Sequence, residues 1–179
     1  MSIDDPNTGE LRPTEALDGG IVDPPTEKDA AQVEGTIERL AIRVGSLHLF
    51  CDPDAGREVL LPPTVSRLPH TPDWLQGVAN VRGALVPVVD LVTAFGLEGH
   101  ADRRAYLLIS GSGENAMGLL VDGLPVLQHV DTGKRLDGIP PHPEMLKGHV
   151  RGAMTHAGST WLDVELNGLF RTLGERIAA

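Results

Sequence analysis

A succession of short apolar runs, separated by glycine-containing turns, is the feature that most restricts how this chain can fold. Leu40, Ile42 and Val44 alternate with Ala41 and Arg43, which is the period-two signature of a half-buried strand. Comparable runs follow at 47–51, 64–68, 78–81, 84–89, 106–109, 117–121, 124–130, 149–155 and 160–164. No long helical crossover separates them, which argues against βαβ units. The pattern predicts a mainly β protein, and two small barrels are one arrangement that would satisfy it.

Three segments interrupt this pattern with helical signals. Residues 71–77 combine a capping hydroxyl, a proline at the first helical position and a closing glycine. Residues 90–95 begin with Asp90 as a candidate N-cap and end before Gly96. The last stretch repeats apolar residues at helical spacing, at Leu166, Leu169, Phe170, Leu173 and Ile177. We therefore predict two short helical turns and a longer C-terminal helix that packs on the β structure.

The negative charge is concentrated in residues 1–35, which hold nine acidic residues against Arg12 and Lys28. That stretch carries −7 of the net −10, so residues 36–179 carry −3. It has four prolines and few large apolar residues, so it cannot bury enough area to offset the entropy of ordering it. We predict a disordered tail over 1–35, with a tether or binding segment as the alternative, and one domain over 36–179.

Composition excludes several classes of protein. The pI of about 5.0 argues against nucleic-acid binding, which needs a surplus of Lys and Arg. The apolar runs are far shorter than the roughly 20 residues that a membrane span requires. One cysteine, Cys51, rules out a disulfide framework and a cysteine-rich zinc site. These features indicate a cytoplasmic protein without direct membrane insertion.

No segment supplies a complete catalytic or cofactor site. The run 111–116 fits G-x-G-x-x-A, but a strand-like segment follows it where a nucleotide site requires a helix, so a hairpin loop is the better interpretation. Asp90, Asp122 and Asp163 each close an apolar run and are interpreted as caps or turn residues. Cys51 has no evident activating base and is expected to be an inert core thiol. We predict that the chain is not an enzyme and needs no cofactor.

Three histidines spaced by seven residues, His142, His149 and His156, raise the possibility of a metal site. Prolines and glycines between them prevent one continuous helix from presenting all three. They are interpreted as loop and strand histidines. A small metal- or ligand-binding β-barrel that uses them is the alternative function.

Residues 77–91, GVANVRGALVPVVDL, stand apart from the other turns. Gly77 and Gly83 bracket a strand of small apolar residues, with Asn80 and Arg82 on its other face. An arginine in a turn between two apolar strands is either a clamp on backbone carbonyls or a recognition group on a docking surface. The residues alone favour neither interpretation.

This segment resembles the CheW-like family of chemosensory coupling proteins, whose most recognisable stretch reads approximately G-V-x-N-L-R-G-x-I-x-P-V-x-D-L. The chain has that pattern at 77–91 with Val81 in place of Leu, and similar elements at 57–59, 65–69, 117–124 and 162–165. The resemblance covers residues 36–175. Trp74 and residues 78–81 look somewhat more like the coupling proteins of pilus-linked (twitching) systems than like the flagellar type.

The resemblance implies two five-stranded SH3-like barrels that share a core, with short connecting helices and the C-terminal helix. It implies a non-enzymatic scaffold that couples methyl-accepting chemoreceptors to a CheA-type histidine kinase in chemotaxis or type IV pilus motility signalling, beside membrane-bound receptor arrays. The implied partners are the receptor's cytoplasmic tip, which a groove between the barrels would take, and the kinase's regulatory domain.

The resemblance also implies roles for particular residues. Asn80 and Arg82 lie in the part of the signature linked to array contacts, and Glu58 and Gly77 match positions associated with the kinase. Each of these four residues could equally be structural, and for Gly77 the structural interpretation, as the end of the predicted helix at 71–77, is the better one. Gly56 departs from the family, which has an apolar residue where receptor contact is expected.

Overall fold

The computed structural model describes residues 35–98 and 105–178. Its strands are β1 Thr36–Val44, β2 Leu47–Cys51, β3 Glu58–Leu60, β4 Val65–Ser66, β5 Leu75–Val81, β6 Ala84–Asp90, β7 Ala105–Ser110, β8 Met117–Asp131, β9 Val150–His156 and β10 Ser159–Val164. Its α-helices are α1 Leu91–Ala94 and α2 Leu166–Ala178. Short 3-10 turns cover Gly113–Asn115, Thr132–Lys134 and Glu144–Leu146. Within these described residues, no helix is long and apolar enough to cross a membrane.

The strands form two barrels that share the long strand β8. The N-terminal part of β8 pairs with β6 and β7, and these strands join β3, β4 and β5 in what we call the second barrel. The C-terminal part pairs with β1, which leads through β2 and β10 to β9 and forms the first barrel. The two-barrel, mainly β architecture with a C-terminal helix is therefore confirmed.

The alternation along β1 shows how the two barrels share a core. Leu40, Ile42 and Val44 point into a large core that also contains residues of the second barrel and of both helices. Ala41 points the other way, into a small cluster inside the first barrel with Phe50 and others. The interior of the second barrel is a third cluster, of small and branched side chains. The predicted shared core is thus the largest of the three apolar clusters that residues 35–98 and 105–178 form.

Two of the three predicted helices are present. Asp90 caps α1, because its Oδ1 accepts a hydrogen bond from the Val92 amide at 3.1 Å. The chain leaves this helix through Gly96 with a φ of +65°. The apolar stripe of α2 is buried at Leu166, Leu169 and Leu173, as its spacing predicts.

The predicted helix over 71–77 is wrong. Residues 73–74 form a turn, in which the Leu75 amide donates to Pro72 O at 2.9 Å, and β5 begins at Leu75. Gly77 is therefore within a strand rather than at a helix end. Pro72 precedes this turn as it would precede a helix, but Gly77 lies inside β5, and the pairing of β5 with β4 and β6 decides the outcome.

Three strand predictions also need correction. The runs 117–121 and 124–130 belong to one continuous strand that passes through Gly123 at a φ of +74°. The run 64–68 is reduced to Val65–Ser66, and β3 was not among the predicted strands because its three residues show no alternation. The predicted tail lies outside the described residues except for Gly35, whose carbonyl accepts from the Thr132 amide at 2.7 Å.

Candidate functional site

Arg82 occupies the tip of the β5–β6 hairpin. Val81 pairs with Ala84, so Arg82 and Gly83 form a two-residue loop, with φ values of +52° and +87°. Two positive φ values identify the type I′ turn that matches the twist of the strands. The Gly83 amide donates to Asn80 Oδ1 at 2.8 Å, which holds the loop in this conformation. Asn80 thus fixes the direction in which Arg82 leaves the hairpin.

Arg82 and Glu58 form an ion pair across the second barrel. Arg82 Nη2 lies 2.5 Å from Glu58 Oε1, although the residues are 24 positions apart in the sequence. The Arg82 side chain remains 78% exposed, whereas that of Glu58 is 23% exposed. Arg82 therefore bonds a carboxylate rather than backbone carbonyls, and most of its guanidinium is accessible to another molecule.

Exposed leucines accompany this ion pair in the second barrel. Leu85 lies opposite Asn80 in the β5–β6 ladder and is 74% exposed. Leu61 follows β3, three positions after Glu58, and is 75% exposed. Arginine and large apolar side chains are typical of the residues that dominate protein interfaces. We call Glu58, Leu61, Asn80, Arg82 and Leu85 the Arg82 surface.

Gly77 does not belong to that exposed surface, because it is buried. Its φ is +133°, and a Cβ added there would lie 2.1 Å from Ser66 O on β4. Glycine allows β4 and β5 to approach this closely. The structure gives Gly77 a role in closing the second barrel.

Gly56, where the family has an apolar residue, is also closely packed. A Cβ at this position would lie 2.6 Å from Leu108 Cδ1 and 3.0 Å from Leu40 Cδ2. These two buried leucines already occupy the space that an apolar side chain would take. The departure at Gly56 is therefore compensated inside the fold by its neighbours.

A second exposed apolar area lies on β8, where the strand passes from the second barrel to the first. Leu124, Val126 and Leu127 are 59%, 41% and 55% exposed. Leu124 and Val126 lie on the face of β8 that borders the first barrel, whereas Leu127, which pairs with Leu40, lies on the opposite face. Exposed apolar side chains at one place in a fold are typical of interaction sites. We call these three residues the β8 strip.

A buried charge cluster in the first barrel was missed by the sequence analysis, which interpreted Asp163 as a cap. Asp163 is 1% exposed and lies 3.0 Å from Arg151 Nη2, 3.4 Å from Arg39 Nε and 3.8 Å from Arg135 Nη2. Arg151 also binds both oxygens of Asp52 at 3.0 Å. The hydrogen bonding that Arg151 donates to Asp52 is the largest cause that raises the pKa of Arg151. The cluster ties together β1, β9, β10 and the segment after β2.

The other candidates for chemistry have local structural roles. Burial, reinforced by the charges of Asp163 and Asp52, raises the pKa of the Cys51 thiol far above its usual value. Asp122 Oδ2 accepts from the Gly45 amide at 2.6 Å, and the loop 111–116 joins two antiparallel strands, as a hairpin does. Cys51 is thus an inert core thiol, as predicted.

The three histidines of the alternative metal site have different neighbours. His149 contacts Thr172 at 3.1 Å, His142 contacts Pro140 O at 2.9 Å, and His156 packs edge-on against Trp161. Among residues 35–98 and 105–178, no three His, Cys, Asp or Glu side chains come together to hold a metal ion. The structure therefore gives no support to a metal-binding barrel.

Comparisons with known proteins agree on one family. The family model described as CheW-like domain matches residues 38–173. Protein PilI of Pseudomonas aeruginosa is 28% identical over 139 residues, which are 77% of this chain and 76% of PilI. Chemotaxis protein CheW of Rhizobium meliloti is also 28% identical, over 76% of this chain and 88% of that protein. The percentage identity is thus the same for PilI and for this chemotaxis protein.

The fold is shared with a solved structure. The crystal structure of the scaffolding protein TtCheW from Thermoanaerobacter tengcongensis superposes with a TM-score of 0.62 and 20% sequence identity. The match covers 74% of this chain and 86% of that one. It includes enough of both chains to extend over both barrels.

Proposed function

Because the chain belongs to the CheW-like domain family, we propose that it is a non-enzymatic scaffold that couples chemoreceptors to a CheA-type histidine kinase. Its partners are the cytoplasmic tip of a methyl-accepting receptor and the regulatory domain of the kinase. It acts in the cytoplasm, beside membrane-bound receptor arrays. The family match begins at residue 38, which supports a coupling domain over 36–179 and a separate tail over 1–35.

The observation that carries this proposal is the pair of separate exposed apolar surfaces on one rigid fold. A coupling protein must hold two partners at once, so it needs two surfaces that do not overlap. The Arg82 surface lies on strands and a turn of the second barrel, and the β8 strip lies where the barrels join. The large core between the barrels holds these surfaces in a fixed relation.

We assign the Arg82 surface to kinase and array contacts. Arg82 supplies an accessible charge, Glu58 orients it through the ion pair, and Asn80 fixes the turn that carries it. Leu61 and Leu85 supply exposed apolar area on the same barrel. Gly77 contributes indirectly, since the approach of β4 to β5 shapes the sheet from which the hairpin extends.

The β8 strip is assigned to the receptor. An amphipathic helix buries its apolar face in an apolar groove, and the exposed side chains of Leu124 and Val126 share one face of β8 at the junction of the barrels. The interfaces of signalling encounters are small, often below about 1,200 Å² in total, and therefore reversible. Modest surfaces of this kind suit an assembly whose parts must respond to signals.

Arg82→Glu tests the first assignment. We expect it to weaken binding to the kinase regulatory domain or to the receptor fragment at least about tenfold, because it replaces an interface cation with an anion beside Glu58. Since Arg82 is mostly exposed, its ion pair contributes little to stability, and the melting temperature should stay close to that of the parent protein. Calorimetric titration with each partner measures the effect, and Lys147→Glu, a charge reversal at another exposed site, is the control.

A double variant separates recognition from structure. Arg82→Glu combined with Glu58→Arg restores an ion pair with its charges exchanged. If a partner recognises the arginine, the double variant binds as weakly as Arg82→Glu alone. Parent-like binding by Arg82→Glu or by the double variant would contradict the assignment of Arg82 as a contact residue.

A further inference from the structure

The first barrel is not closed by hydrogen bonds along its whole length. β9 meets the segment after β8 at the bridge Arg135–Met154, where the Leu136 amide donates to Ala153 O at 2.9 Å. Beyond that bridge, the described strands show no pairing between β8 and the end of β9. A pocket of about 340 Å³ opens in this gap, lined in part by Gln128 of β8 and His156 at the end of β9. Ligand sites commonly lie at the mouths of β-barrels and have volumes of this order.

The floor of the pocket is aromatic. The Trp161 ring stacks on Phe50 with centroids 4.3 Å apart and an interplanar angle of 16°. His48 and His156 flank the same indole, at centroid distances of 4.8 and 5.9 Å. Trp161 Nε1 already donates to His156 O at 3.1 Å, so the indole offers the pocket its ring rather than a hydrogen bond. Trp161 is 8% exposed, so the open part of its ring offers edge contact to a flat aromatic ligand rather than a free face.

Two polar groups in the lining indicate what substituents that ring would carry. Gln128 Oε1 is buried and has no hydrogen-bond donor among the described residues, a condition that costs free energy until a donor arrives. Arg43 is the one permanently charged residue in the pocket lining and has an exposed side chain. Burial and the neighbouring Arg43 lower the pKa of His48, so His48 is neutral at pH 7 and does not add charge.

The spacing of these groups sets the length of the ligand. Gln128 lies opposite Arg39 in the β1–β8 ladder, and Arg43 is four residues further along β1. Four residues of a strand span about 13 Å between backbone positions. The side chains of Gln128 and Arg43 extend into the pocket, so the distance between their polar ends is shorter than this. Asp122 faces Arg43 in the same ladder, with its Oδ2 engaged by the Gly45 amide.

We propose that this pocket binds a small planar aromatic carboxylate with a ring hydroxyl opposite the carboxylate. The ring packs on Trp161, the carboxylate pairs with Arg43, and the hydroxyl donates to Gln128 Oε1. The site is a property of the first barrel and does not rest on the proposed coupling function. Leu124 and Val126 of the β8 strip form its apolar wall.

The test uses the full chain and 4-hydroxyphenylacetate as the probe. Nuclear magnetic resonance follows the indole N–H of Trp161, in a Trp74→Phe background that leaves it as the single tryptophan. We expect saturable shifts with a Kd of about 1 mM or below. Three comparison probes each lack one feature: 4-hydroxyphenylacetamide lacks the charge, cyclohexylacetate lacks the flat ring and phenylacetate lacks the hydroxyl. Each should bind several-fold more weakly.

Two variants assign the polar contacts. Arg43→Gln should reduce affinity for the acid to that for the amide, and Gln128→Leu should remove the preference for the hydroxyl. Arg57→Gln, at an exposed arginine outside the pocket, should change neither. The proposal is overturned if the Trp161 signal does not move at about 10 mM probe. It is equally overturned if the four probes bind alike, or if Arg43→Gln binds the acid as the parent does.

Discussion

Gly77→Ala is expected to lower the free energy of unfolding by about 4 kcal/mol, an effect at the upper end for single substitutions. A β-carbon would lie 2.1 Å from Ser66 O, which belongs to backbone and cannot rotate away. The φ of +133° adds strain that any residue other than glycine must bear. Relief requires β4 to separate from β5, which opens the second barrel beneath the Arg82 surface. Urea denaturation followed by circular dichroism measures the loss.

Gly158→Ala is the matched control for this prediction. Gly158 also has a positive φ, +76°, but nothing lies within 4 Å of a Cβ built there. It should cost only about 1 kcal/mol, the penalty of the left-handed conformation alone. Equal losses for the two variants would show that close approach of β4 is not why the chain has glycine at 77.

Asp163→Asn is expected to destabilise the protein by about 3 kcal/mol. The substitution preserves the shape of the side chain but removes the negative charge that lies among Arg39, Arg135 and Arg151. Removing one partner of a buried ion pair leaves the opposite charge uncompensated, which costs several kcal/mol. The same denaturation experiment measures the change.

Asp52→Asn provides the comparison, because Asp52 binds the same arginine, Arg151, from a more exposed position. Its side chain is 32% exposed against 2% for Asp163, so water screens the pair and the loss should be about 1 kcal/mol or less. If Asp163→Asn is no more destabilising than Asp52→Asn, the buried cluster does not hold the first barrel together.

Local patterns in the sequence were sufficient for much of the fold. Alternation along 40–44 predicted β1, the carboxylate of Asp90 predicted the start of α1, and the stripe beginning at Leu166 predicted α2. Each of these three elements depends on contacts between residues that are close in sequence, or on a face that repeats at a fixed spacing. Both features can be seen directly in the sequence pattern.

The failures depend on contacts between distant residues. Proline and glycine at 72 and 77 are compatible with a helix, and only the nearby Ser66 carbonyl reveals why residue 77 is glycine. Likewise, β8 continues through Gly123, which has a φ of +74° and where a Cβ would lie 2.5 Å from Arg43 Nη2. No local pattern distinguishes these glycines from turn residues.

The same distinction applies to the candidate site. The sequence alone indicates Asn80 and Arg82 as candidate contact residues, because they lie in and beside a turn between two apolar strands. Glu58 is a candidate only because of the family resemblance. That Glu58 and Arg82 form one ion pair follows from the closure of the second barrel, which brings β3 to the β5–β6 hairpin. Asp163 was misassigned because a carboxylate after an apolar run is typical of caps, and its arginine partners come from three other segments.

Co-sedimentation of three purified components tests the coupling function most directly. The components are this full chain, a receptor cytoplasmic fragment assembled on vesicles, and the CheA-type kinase from the same source. We predict that the kinase sediments with the receptor vesicles only when this chain is present, and that Arg82→Glu reduces the kinase recovered at least about tenfold. Equal recovery of the kinase with and without the chain, or a chain that sediments with neither partner, would contradict the account.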